Sequence, residues 1–174
     1  MFKVYGARIG SKKIDLDAMI KYSQNISNKE TIIFQLFDAD YIYGIDHLKT
    51  AFDHAKRAYS QNRQTARTLG METLLYASGE YQIKNAIEKV GLKENSDKLG
   101  ILLYARDNST DNNLDKNFDN FMKEFELTRD DNVLDGDVNT LESFGISKEE
   151  LSAVPKSKWL ELILEKVALV DIIK

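Results

Sequence analysis

The stretch "TIIFQLFDADYIYGIDHLKTAFDHAKRAYS", Thr31–Ser60, changes its hydrophobic period halfway along. Its first eight residues, "TIIFQLFD", are β-branched and aromatic, which reads as a strand ending near Asp38. From Gly44 to Ser60 the apolar residues Ile45, Leu48, Phe52, Ala55 and Tyr59 recur at steps of three and four. That spacing places them on one stripe of a helix, with Lys49, Asp53, Lys56 and Arg57 off it. A strand followed at once by an amphipathic helix makes this a mixed protein, and the rest of the chain continues the mixture.

Upstream, "FKVYGARI" alternates and reads as a first strand, and "DLDAMIKYSQ" as a short helix. Downstream, Arg63–Leu69 reads as a second short helix, "METLLYAS" (Met71–Ser78) as an apolar strand, and Gly79–Gly91 as a helix ended by its glycine. "LGILLYAR" (Leu99–Arg106) is a further strand, and Asp107–Asn113 a polar loop. Leu114–Phe125 is helical, with Leu114, Phe118, Phe121, Met122 and Phe125 on one face. Ser147 and Glu150 have the spacing of a capping box, and the single proline, Pro155, precedes a last helix. Short connections such as that near Gly70 do not force a parallel sheet. The expectation is α+β: a mostly antiparallel sheet flanked by helices in a single domain spanning 1–174.

Composition narrows the function classes. The chain has 174 residues, 43% of them hydrophobic, enough to bury a core. No apolar run reaches the roughly 18–20 residues that span a bilayer. The start, "MFKVYGARIG", alternates and carries charge, unlike a targeting peptide, so a cytoplasmic location is expected. There is no cysteine, which removes disulfides, thiolate catalysis and cysteine-bound zinc. The net charge of −4 gives no global attraction for nucleic acid, so any such binding needs a local patch.

Catalytic patterns are absent. His47 and His54 sit seven apart on one helix, about 10 Å along its axis, too far to share a metal; packing or a backbone hydrogen bond suits them better. Asp38 and Asp40 alternate, which on a strand turns both the same way as a magnesium site needs, but no glycine-rich phosphate loop accompanies them, and a strand-end turn is the simpler reading. Asp130–Glu142 resembles a calcium loop until counted from Asp135: the sixth position is Thr140 instead of Gly, and the twelfth Ile146 instead of Glu. No cofactor is expected, and a small enzyme of unrecognised type would need a deep polar pocket.

Two surfaces stand out. Lys56, Arg57, Arg63 and Arg67 fall in a stretch with no acid until Glu72. Cations closing a helix would explain part of this. But Ser78-Gly79 then opens the next helix on this reading, and Tyr81 and Gln82 lie beside it. Arginines, helix N-terminal N–H groups and an aromatic ring are the parts of a single-stranded RNA site. By contrast, Asp107–Asp137 holds ten acids against Lys116, Lys123 and Arg129 and should repel RNA. The second surface is the last helix. Trp159, Leu160, Ile163, Leu164, Val167 and Val170 cover one face, and Leu162, Leu169 and Ile173 form another. A helix apolar on two sides is buried twice or shared with a partner.

The order of "Q-x-F-D", "G-x-x-H-L-x-x-A", "R-A", "A-R-x-L-G-M-E" and "S-G-x-x-Q-I" is carried by Gln35, Phe37, Asp38, Gly44, His47, Leu48, Ala51, Arg57, Ala58, Ala66, Arg67, Leu69, Gly70, Met71, Glu72, Ser78, Gly79, Gln82 and Ile83. This resembles the archaeal-type small kinase-binding subunit of the KEOPS complex, most strongly over Gln35–Gly91, with "ILEKVALVDII" also fitting. Tyr81 stands where that family commonly has an arginine. The resemblance implies a non-catalytic subunit of the complex that makes threonylcarbamoyladenosine at tRNA position 37. Such a subunit docks on the small lobe of the atypical kinase/ATPase subunit, stimulates it, reaches the other KEOPS subunits through it, and captures the tRNA 3′ CCA end. On that footing the expected tRNA-binding residues are Lys56, Arg57, Arg63, Arg67, Ser78, Gly79, Tyr81 and Gln82, and the expected kinase-binding residues Leu162, Lys166, Leu169, Ile172 and Ile173. The competing expectation is a kinase-binding subunit with no RNA binding of its own.

Overall fold

The computed structural model describes residues 1–10, 15–29, 31–105 and 111–173. Among the described residues four strands, β1 (Phe2–Arg8), β2 (Ile32–Asp38), β3 (Lys98–Ala105) and β4 (Thr128–Arg129), form one sheet in the order β2-β3-β1-β4. Every pairing is antiparallel: Phe2 faces Tyr104 and Arg8 faces Lys98, while Ile32 faces Ala105 and Asp38 faces Leu99. The helices are α1 (Leu16–Lys29), α2 (Ile45–Ser60), α3 (Leu69–Ser78), α4 (Ile83–Val90), α5 (Asp111–Glu124), α6 (Val138–Ser143), α7 (Lys148–Ala153) and α8 (Trp159–Ile173). The expected α+β class with an antiparallel sheet is what the chain adopts.

The chain divides into two compact units, each built from two segments: 1–39 with 92–133, and 40–91 with 134–174. In the first, α1 packs on β2 and α5 on β3. The alternation of β1, β2 and β3 turns Tyr5, Ala7, Phe34, Leu36, Leu99, Ile101 and Leu103 into one core with Leu114, Phe118 and Phe121 of α5. Tyr5 stacks on Phe118 at 4.0 Å, and Phe121 meets Phe34 at 5.1 Å, pairings that orient α5 across the sheet. Met122 and Phe125, expected on the same face, pack against this core half-buried. The start of the expected polar loop at 107–113 lies outside the described residues, and its last three residues open α5. At the end of β2, buried Asp38 accepts from Ser96 Oγ (2.8 Å) and pairs with Lys93 (3.3 Å), a structural strand-end role.

In the second unit α3 is the central helix, contacted by α2, α4 and α8. Here two expectations are corrected. Met71–Ser78 is not a strand but most of α3, and nine of its ten residues, all but Met71, are buried. A helix covered on every side has no polar face, so its sequence shows no period of 3.6 and is indistinguishable from a buried strand. Nor is Arg63–Leu69 a helix: 63–68 is irregular and α3 begins only at Leu69, capped by Thr68 Oγ1, which accepts from Met71 N (3.2 Å). The stripe of α2 holds for Leu48, Phe52 and Ala55, joined by Ala51 and Ala58, whereas Ile45 is half exposed. The Ser147–Glu150 capping box forms at the start of α7. The false calcium loop is instead a cap: Asp137 receives Thr140 N at 3.1 Å and starts α6.

Candidate functional site

The segment after α2 is held by one buried carboxylate. Glu72 Oε2, in the first turn of α3, accepts from Thr65 N at 3.0 Å and Ala66 N at 2.7 Å. Those N–H groups therefore have no need of helical partners, which is why the Arg63/Arg67 spacing of four does not produce a helix here. Tyr59 Oη donates to Ala66 O (2.8 Å), and Arg63 N donates to Ala58 O (2.9 Å). On this fixed backbone Arg63 and Arg67 are exposed, and among the described residues neither makes an ion pair. The Arg63 guanidinium donates twice to Gln61 Oε1, at 3.0 and 2.6 Å. Lys56 is also exposed, its ammonium 5.9 Å from the Phe52 ring.

Arg57 faces elsewhere: its Nη2 lies 2.7 Å from His54 Nδ1 and 3.3 Å from Asp171 Oδ2 of α8.

Ser78-Gly79 also differs from expectation. The pair ends α3 instead of opening the next helix. Gly79 adopts φ 69°, ψ 14°, the left-handed cap that glycine takes without strain, and its N–H returns to Tyr76 O. Ser78 is buried; its hydroxyl donates to Leu75 O (2.7 Å) and accepts from Glu80 N (3.1 Å), so it has no donor to spare for a phosphate. The next helix, α4, begins at Ile83 with Gln82 as its cap, and the Gln82 side chain makes no capping hydrogen bond. Tyr81 and Gln82 are exposed at that end. Beside them Glu80 pairs with Lys89 at 3.4 Å, which offsets its charge.

His47 is buried between helices. Its Nε2 lies 2.9 Å from Ala77 O, and Tyr43 N donates to its Nδ1 at 3.1 Å. Since Nδ1 accepts, Nε2 carries the proton and donates to Ala77. Burial pushes its pKa down to about 4. Among the described residues no group of three or more His, Asp or Glu side chains could hold a metal ion. Much of the acidic stretch is paired: Asp115 with Lys3 and Tyr5, Asp130 with Arg8, Asp131 with Arg129.

The last helix resolves into one covered and one open side. Ile163, Val167 and Val170 are buried, and α8 packs on α2 and α3. Leu162 is half-buried, while Leu169, Ile172 and Ile173 are 39%, 77% and 51% exposed. Lys166 lies against the cap of α3: a Cβ built on Gly79 would meet its Cβ at 3.5 Å. Asp171 receives Tyr76 Oη on one oxygen and faces His54 Nδ1 (2.7 Å) and Arg57 Nη2 (3.3 Å) with the other. Burial raises the Asp171 pKa, but these hydrogen bonds together outweigh it and hold the carboxyl below its ordinary value. Sequence reasoning met Glu72 as the acid ending a basic stretch and as part of the family pattern, without its structural role, and passed over Asp171, one acid on an apolar helix.

Among the described residues no helix is long and apolar enough to cross a membrane. The family model described as kinase binding protein CGI-121 matches residues 15–171. No curated protein matches the chain.

Proposed function

The chain belongs to the kinase binding protein CGI-121 family, and from that premise we propose that it is the small, non-catalytic subunit of a cytoplasmic KEOPS assembly. It docks on the atypical kinase/ATPase subunit and serves threonylcarbamoyladenosine synthesis on tRNA. The observation that carries this reading is the open side of α8. Leu169, Ile172 and Ile173 are exposed at the end of a helix whose other side is buried. Exposed apolar side chains on a fixed helix suit the desolvated centre of a protein interface, with half-buried Leu162 and Lys166 toward its rim. The test is affinity for the purified kinase subunit. Ile172→Asp should weaken binding at least tenfold, an effect of about 1.4 kcal/mol or more. Unchanged affinity would remove this face from the interface.

A second reading, capture of the tRNA 3′ CCA end, is favoured by the exposed Arg63 and Arg67 on a pinned backbone and by Tyr81 and Gln82 at the uncapped start of α4. Lys56 adds charge, and Gly79 leaves the backbone bare. Ser78 acts by shaping the turn. Arg63→Glu/Arg67→Glu should abolish binding that depends on the CCA end and lower the salt slope by about 1.4 for two single-strand phosphate contacts. Equal binding of tRNA with and without CCA would refute capture of the 3′ end, and no binding of either would leave a kinase-binding subunit without an RNA site of its own.

A further inference from the structure

The end of α8 is held by polar contacts. Its buried apolar contacts stop at Val170, and Ile172 and Ile173 beyond it are exposed. A last helical turn has no hydrogen-bond partners for its carbonyls and frays unless tied down. The tie is Asp171, between those two isoleucines and Val170. Tyr76 of α3 donates to its Oδ1, and His54 and Arg57 of α2 face its Oδ2. The His54 Nδ1 position serves either Asp171 or Arg57, both at 2.7 Å from their partners there, since one nitrogen cannot donate and accept together. In either tautomer Arg57 remains within 3.3 Å of the carboxylate.

We infer that this clasp makes Asp171 and Arg57 positioning residues for the kinase contact, and that Arg57 is not one of the phosphate-binding arginines. The inference rests on the kinase reading of α8. Arg57 sits three residues before Ser60, the end of α2, and close in sequence to Arg63, yet its guanidinium is turned to α8 while that of Arg63 is turned to Gln61. Sequence proximity and function part company at this side chain. Releasing it should loosen the last turn and change where Ile172 and Ile173 are presented, with no loss of a phosphate contact.

The experiment uses the full chain, the purified kinase subunit and labelled tRNA. Variants are Asp171→Asn, Arg57→Gln, Ile172→Ala and the two pairs with Ile172→Ala. Asp171→Asn is expected to lower kinase affinity roughly tenfold and Arg57→Gln by a smaller factor. The penalty of Ile172→Ala should shrink in either background, because a mispositioned isoleucine has less to lose. Amide exchange should rise at 168–173 and not in the sheet. Arg57→Gln should leave tRNA affinity and its salt slope unchanged. The inference is overturned if Ile172→Ala costs the same factor in all backgrounds, as a purely structural role requires, or if Arg57→Gln lowers the salt slope. If Asp171→Asn fails to fold, Arg57→Gln carries the comparison, since Arg57 is exposed. No kinase affinity in the unaltered chain would refute the parent reading, and this one with it, before any variant is compared.

Discussion

Removing the Glu72 carboxylate should cost stability and RNA affinity without changing the charge that meets RNA. In Glu72→Ala the N–H groups of Thr65 and Ala66 lose their acceptor. The Ala66 bond is buried, and an unmet buried donor costs about 1–3 kcal/mol; the half-buried Thr65 bond falls at the low end of that range. Together they amount to roughly 2–4 kcal/mol. Glu72→Gln keeps an acceptor oxygen but loses the charge that about doubles such bonds, and it must satisfy a new amide, so roughly 2 kcal/mol is expected. Urea unfolding gives the free energies, and amide exchange at Thr65 and Ala66 reports the loop directly. Affinity for tRNA should fall because Arg63 and Arg67 must then be ordered on binding, yet the salt slope should hold because no phosphate contact is removed. The reasoning fails if Ala66 stays as protected in Glu72→Ala as in the unaltered chain, or if both variants leave stability unchanged.

Buried His47, with its pKa lowered from 6.5 to about 4, binds a proton in the unfolded chain before it does in the folded one. Its contribution is therefore fully present above pH 6.5, is lost as pH falls toward 4, and totals about 3 kcal/mol. Unfolding of His47→Gln across that window should show a shallower acid dependence; an identical one would refute the assignment. Gly79→Ala should destabilise by about 1 kcal/mol through its left-handed φ of 69° alone, since the new Cβ would stand 3.5 Å from Lys166, an ordinary contact. Thermal unfolding that shows no loss would mean that the turn relaxes.

What could be read beforehand follows how local its cause is. α2 and α5 carry their period within their own residues because each buries one face, and β1, β2 and β3 read as strands from alternation or from β-branched, aromatic and apolar runs, β3 although it is buried over most of its length. α3 does not, because burial of nearly its whole surface erased the polar positions that mark a helix. The 63–68 segment looked helical because an arginine spacing of four is a helical spacing, while its real organiser, Glu72, lies beyond it. Gly79 was legible as a helix end had its left-handed preference been weighed above the helix that follows. At the site, the charge of Arg63 and Arg67 and the two apolar sides of α8 could be read directly. The diversion of Arg57 could not, since its partner Asp171 stands 114 residues away.

Because each unit is built from two separated segments, synthesis on the ribosome delivers incomplete halves. β1 emerges first but its ladder partner β3 comes about a hundred residues later, Phe2 waiting for Tyr104. α2 waits longer still, and α3 nearly as long, for α8 to cover them with Ile163, Val167 and Val170. At ~5–20 residues per second the interval from α3 to α8 is on the order of 5–20 s. During it an apolar helical surface is open to chaperones and to other nascent chains. A premature stop before α8 would thus remove both the partner-facing side chains and the cover of the central helix, so truncated products should be cleared as misfolded chains instead of persisting as weak binders.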